Sequence, residues 1–250
     1  MVSLTQHLLS IDKEAYEKAT RHTFLQQVGS HTIAPQHLHS WIEQDRAYTN
    51  GYTKMMGLMI SRVALFPDQR EWGDNDPHYD SAHAQRIFKT LAFAVSNVFR
   101  ECQMFTDLLS RTPYAGFPQG GMKPWTSRYV DFHQKVARTA GYDLGEALVV
   151  LWAMEKVFLE AWLYAKSIQE NKTAGSSGEQ DPVHVATMQE LIQNWTLDEF
   201  KDFVDECGEL VNALSTTDPL RLKSLEQVYR QTLALEVKFW DMAFTEVTDE

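Results

Sequence analysis

The chain is poor in the residues that staple, kink or loosen a fold. Its 250 residues include two cysteines, 12 glycines and eight prolines. Cys102 and Cys207 lie far apart with no Cys-x-x-Cys spacing, which speaks for two reduced, mostly buried thiols rather than a disulfide. The low glycine and proline content excludes a collagen-like or mostly disordered chain. No run of about 18 apolar residues occurs, so no membrane-spanning helix is expected. Met1-Val2-Ser3-Leu4 has neither the basic patch nor the apolar core of a secretory signal, and a cytoplasmic location is expected. Positive charge is also scarce. The 23 Lys and Arg face 34 Asp and Glu, a net charge of −11, which makes nucleic acid and anionic membrane poor partners. No Gly-x-Gly-x-x-Gly, Walker or Gly-x-Ser-x-Gly segment is present, and the nine histidines show no zinc spacing, so no metal or cofactor is expected.

What is abundant is core material. Apolar residues make up 44% of the chain, with seven Trp and 13 Phe. A globular chain of this length buries roughly 70–75% of its unfolded surface. No alternating strand pattern stands out, and helical periodicity recurs from end to end. The spacing predicts helices over 12–28, 35–65, 80–111, 124–140, 147–164 and 182–194, one beginning near 200 and a last one over 219–244. Pro35 suits a first helical turn. Asp143-Leu-Gly-Glu146, Thr196-Leu-Asp-Glu199 and Asp218-Pro219 read as N-terminal caps. Loops are expected at 67–77, 113–124 and 173–182. One all-α unit of seven or eight helices, spanning residues 1–250, is the expectation.

Three of these helices carry an acid where an apolar residue belongs. Asp45 falls within the stripe Leu38, Trp41, Ile42, Tyr48, Tyr52, Met55 and Met59. Glu155 falls among Leu148, Leu151, Trp152, Leu159 and Trp162. Glu236 falls among Leu225, Tyr229, Leu233, Trp240 and Ala243. An aromatic follows each acid by three positions: Tyr48, Phe158 and Phe239. An unpaired carboxylate in an apolar site is costly and takes up a proton. Three of them point to one shared polar pocket, with three separate Arg or Lys pairs as the alternative. Phe158 and the methionines near 55–59 read as core. Acids and aromatics without clustered arginine suit a flat, neutral or cationic, nitrogen-bearing ligand.

These residues resemble a known family. Gln44-Asp45-Arg46-Ala47-Tyr48, preceded by Trp41 and by Phe24-Leu25 and Val28-Gly29, resembles the N-terminal signature of the TenA (thiaminase II-like) family. Pro124-Trp-Thr-Ser-Arg-Tyr129, Trp195-Thr-Leu-Asp-Glu-Phe200 and Glu236-Val-Lys-Phe239-Trp240 resemble its later segments, in the same order. The resemblance implies a haem-oxygenase-like multi-helix bundle and a homo-oligomer, dimer or tetramer. It implies hydrolysis of 5-substituted 4-amino-2-methylpyrimidines in thiamin salvage. It also implies roles: Asp45 on the aminopyrimidine edge, Tyr48 and Tyr129 in the pocket, Glu236 catalytic and Phe239 stacking. Many members carry a nucleophilic cysteine where this chain reads Ala147-Leu-Val-Val-Leu-Trp-Ala-Met-Glu155. It therefore resembles the branch with glutamate in place of cysteine, which acts on the aminomethyl or N-formyl-aminomethyl pyrimidine. Trp195 stands where a family tyrosine would, and indole donates a hydrogen bond without accepting one.

The expected mechanism has Glu155 as general base for water and Glu236 as proton donor to the ring or the leaving nitrogen. The ring would stack on Tyr129, Trp195 or Phe239. Two rivals remain open. One is a pyrimidine-binding or sensing protein without turnover. The other is a haem or di-iron oxidase, with His22 as haem ligand or Asp80-x-x-His83 and Asp181-x-x-His184 as iron ligands. For His22 an internal hydrogen bond is the plainer reading, and for the two pairs solvated caps.

Overall fold

The computed structural model describes residues 2–63, 81–141, 144–171 and 181–245. Among them are ten α-helices and no strand. In chain order these are α1 (Leu4–Ile11), α2 (Lys13–Thr20), α3 (Thr23–Gly29), α4 (Pro35–Ile60) and α5 (Ser81–Ser110). They continue with α6 (Pro124–Thr139), α7 (Gly145–Glu170), α8 (Pro182–Asn194), α9 (Asp198–Asn212) and α10 (Pro219–Asp241). The all-α expectation holds, with more helices than predicted. The extra ones come from the N-terminal end. The single helix predicted over 12–28 breaks at Arg21-His22, where His22 Nδ1 accepts the Phe24 N–H and starts α3. The second nitrogen of His22 lies 3.2 Å from Asp241, so this histidine ties α3 to the end of α10. A separate α1 begins at a reciprocal cap between Ser3 and Gln6.

The prolines act as read. Pro35, Pro124, Pro182 and Pro219 open α4, α6, α8 and α10, and Asp181 and Asp218 accept N–H groups of the first turns of α8 and α10. Two expected caps are different. Thr196 does not cap α9; its hydroxyl donates back to the Ile192 carbonyl, and Leu197 holds the cap position. Helix α7 starts after Leu144, a left-handed residue with φ 58°, and Glu146 accepts from Ser224 of α10 instead of closing a capping box. Asp143 lies outside the described residues, as do Asp80 and the loops at 67–77 and 173–180. Helix α4 stops at Ile60, short of residue 65. The 113–124 loop contains a short 3₁₀ turn, Tyr114–Gly116. His184 is not solvated: it is buried between the Tyr114 hydroxyl at 2.6 Å and the Ile33 carbonyl at 2.8 Å.

Helix α7 runs through the middle. It packs on α3, α9 and α10, while α4 packs on α5 and α6. One continuous apolar core draws residues from all ten helices. A Cβ on Gly51 would run into Val130, so glycine lets α4 and α6 approach closely and brings Tyr48 and Tyr129 together. Helices α4, α7 and α10 meet in an aromatic cluster of Trp41, Trp162 and Trp240 with Phe24, all fully buried. Met55, Met56 and Met59 are also fully buried, as core residues should be. Among the described residues, no helix is long and apolar enough to cross a membrane.

Candidate active site

One turn along α4 from the tryptophan cluster, the packing changes character. Asp45, Tyr48, Thr49 and Tyr52 lie on one face of α4 and form one wall of a narrow cavity. Helix α5 adds Asn97, Val98 and Glu101, α7 adds Met154, Glu155 and Phe158, and Trp195 closes it from the end of α8. The cavity is small, about 30 Å³, room for about two waters. Among the described residues, no Lys, Arg or His lines it.

The acids are arranged in two layers. Asp45 is 3% exposed, and its Oδ2 has no hydrogen-bond partner. Burial raises its pKa well above the ordinary value, and the charges of Glu101, Glu236 and Glu155 add to the rise. Glu155 accepts a 2.6 Å bond from the Tyr52 hydroxyl, and burial pushes it up to about 8. Glu236 lies one layer back. It is fully buried, accepts a 2.5 Å bond from the Tyr129 hydroxyl, and keeps Oε2 without a partner. Burial pushes Glu236 up to about 8 as well. Tyrosine hydroxyls thus stand where structural ion pairs would have placed Lys or Arg. Two carboxyls that hold protons near neutrality can act as acid or base there.

Of the residues selected from sequence, Asp45, Tyr48, Glu155 and Trp195 line the cavity. Glu236, Tyr129 and Phe239 form the layer behind Tyr48, whose ring lies 5.3 Å from both aromatic rings. Phe158, expected in the core, faces the cavity instead, with Phe239 at 6.4 Å behind it. Tyr48 donates weakly, to Met154 Sδ at 3.1 Å, and lies 3.4 Å from His133 Nδ1. His133 is fully buried, which lowers its pKa to about 3 and keeps it neutral.

Sequence reasoning missed Glu101, Tyr52 and His133. Glu101 carries the same signal as the other acids, because it interrupts the buried α5 stripe Leu91, Ala94, Val98 and Phe105. Burial pushes it up to about 7, against the pull of Asn194, Arg100, Trp195 and Asn97. Trp195, whose indole can only donate, is among the groups that hold this rise down. Both cysteines are free. Cys207 is buried on α9 and does not line the cavity; burial, with Glu155 nearby, holds its thiol protonated. Among the described residues, no three His, Cys, Asp or Glu gather as a metal site.

The TENA/THI-4/PQQC family pattern matches residues 6–96 and 120–246. The chain belongs to that family. Solved structures agree in fold. A TenA homologue from Pyrococcus furiosus superposes with a TM-score of 0.74 at 20% identity, covering 96% of this chain and 100% of that one. A protein of Sulfolobus solfataricus P2 described as a "putative tena-like thiaminase" gives 0.67 at 13% identity, over 97% and 96% of the two chains. The all-α bundle is thus the haem-oxygenase-like TenA fold. A Fusarium pseudograminearum (strain CS3096) protein named "Probable transcription factor" is 24% identical over 275 residues, 98% of this chain. This TenA-family chain spans about half of that curated relative, 52% of its length.

Proposed function

We propose that the protein is a C–N hydrolase of 5-substituted 4-amino-2-methylpyrimidines, acting on the aminomethyl or N-formyl-aminomethyl compound in thiamin pyrimidine salvage. The observation that carries this reading is Asp45: a buried carboxyl with a free oxygen, on a cavity wall shared with Glu155 and the rings of Tyr48, Phe158 and Trp195. Such a group accepts from the 4-amino group while the rings pack on the pyrimidine. Family membership and the thiaminase-like fold relative support the substrate class.

Glu155 occupies the helix that carries a nucleophilic cysteine in other TenA proteins. A carboxylate adds poorly to a pyrimidine, so Glu155 serves as general base, taking a proton from water. A cationic substrate favours its ionised form. The water oxygen bonds the exocyclic methylene carbon as the C–N bond breaks, and the electron pair leaves with nitrogen. Glu236, protonated at neutral pH, supplies the proton that the ring or the leaving nitrogen takes up, passed on through the tyrosine layer between it and the cavity. Tyr129 holds Glu236, and the weakly bonded Tyr48 stands between it and the cavity. The protein works as a cytoplasmic homo-oligomer in this reading.

Incubation with the aminomethyl, N-formyl-aminomethyl and thiamin compounds, followed by chromatography, tests it. Hydroxymethylpyrimidine should form from one of the first two. Tight binding without product from any of them would instead support a pyrimidine-binding or sensing protein.

A further inference from the structure

Glu101 has no part in the reaction just outlined, yet it is the most deliberately oriented acid in the cavity. The Asn97 and Asn194 side-chain amides both donate to its Oε1, at 3.2 and 3.3 Å. Neither amide can turn over, because Arg100 donates to the oxygen of each, at 2.6 Å to Asn97 and 3.0 Å to Asn194. A guanidinium has only donors, so it fixes both amide oxygens toward itself and both NH₂ groups toward Glu101. The arrangement holds the carboxyl by one oxygen in a set direction and works against the burial that disfavours its charged form. Asp45 and Glu155 share the cavity wall with it. The wall thus carries three acids, four aromatic rings and, among the described residues, no cationic residue, while Asp45 keeps a buried oxygen without a hydrogen-bond partner. An ammonium favours the ionised form of these acids and is attracted by the carboxylates and by aromatic rings, whereas a neutral ligand gains neither interaction.

We infer that Glu101 is a specificity residue that takes the ammonium of a positively charged amine on the pyrimidine's 5-substituent, so that the site selects the aminomethyl compound over neutral analogues. This rests on the pyrimidine reading above and narrows it to one leaving group, ammonia. Glu155 and Asp45 cannot fill the same role, since the first faces the attacking water and the second the ring edge.

Glu101→Gln tests the inference, because it keeps an oxygen for the two asparagine donors and removes only the charge. The wild type and the variant are compared for the KM of aminomethylpyrimidine, the kcat/KM of the N-formyl derivative and the inhibition constant of neutral hydroxymethylpyrimidine. The KM for the amine should rise by about 10- to 100-fold, the loss of one charge-assisted hydrogen bond. Both neutral compounds should change by less than about threefold, and kcat for the amine should change little. Ratios are read within one preparation, so loss of folded protein scales every arm alike. Should the variant fail to fold, Glu101→Asp, which keeps the charge but draws it back, should raise the same KM by several-fold. Equal changes for charged and neutral compounds would overturn the role of Glu101 while leaving the hydrolase reading intact. If the wild type forms no product, the hydrolase reading falls. Calorimetric binding of the same amine and alcohol to both proteins then decides on Glu101, and the absence of any amine preference, or of any binding, overturns it.

Discussion

The tryptophan cluster and three of the buried acids are carried by the same three helices, α4, α7 and α10. Trp41 precedes Asp45 by four residues, Trp240 follows Glu236 by four, and Trp162 follows Glu155 by seven. Each pair is therefore stacked on one helix face. In the cluster, Trp41 and Trp240 stack at 5.8 Å and Trp162 packs on Trp195 at 4.8 Å, with every ring filling space. One or two turns away, the same faces present carboxyls with free or tyrosine-held oxygens around a cavity. Trp195 belongs to both regions, stacking on Trp162 and lining the cavity. The lesson is that a rigid aromatic block supports a site whose own groups are poorly solvated. The block contributes stability, whereas the buried acids work against it in their charged form.

Substitutions should separate the two regions. Trp162→Ala removes a fully buried indole and should cost about 3–5 kcal/mol of stability in denaturant titration. Glu236→Gln and Glu155→Gln should each cut turnover of the pyrimidine by about a hundredfold or more, with no loss of stability. Wild-type rates in either variant would remove that residue from the chemistry. Stability should also respond to pH through these two acids. Their folded pKa of about 8 lies above the ordinary 4.5, so the folded state holds protons that the unfolded chain releases. Stability should fall as pH rises from about 4.5 to about 8, and the double Gln variant should flatten that slope in melting curves. A slope unchanged by the double variant would place the protons elsewhere. Trp195→Phe keeps the ring stack and loses the donor facing Glu101; it should cost roughly 1 kcal/mol in ligand affinity, with stability little changed. Away from the site, Asp218→Ala should cost about 1 kcal/mol of stability through the α10 cap, with turnover per folded molecule unchanged.

The helices were legible where periodicity and proline agreed. Pro35, Pro124, Pro182 and Pro219 mark true starts because the missing N–H matters least in a first turn. Boundaries that depend on which side chain wins a local hydrogen bond were not legible. Thr196 bonds backward to Ile192, and His22 breaks a helical run by accepting the Phe24 N–H. Asp45 and Glu155 stood out because an acid inside an apolar stripe has no cheap explanation. Glu101 gives the same signal on α5, yet its clamp could not be read, since Asn97, Arg100 and Asn194 come from two helices far apart in the chain.

By itself the amino-acid sequence determined that this chain would be helical, would bury carboxyls beside aromatics and would carry the TenA signatures, because helical period and capping chemistry act over a few residues. Which acids share a cavity wall, which stands one layer behind it and which of them a tyrosine holds was decided only by the tertiary structure. Burial and charge coupling act across helices packed side by side, at distances along the chain that no local pattern encodes.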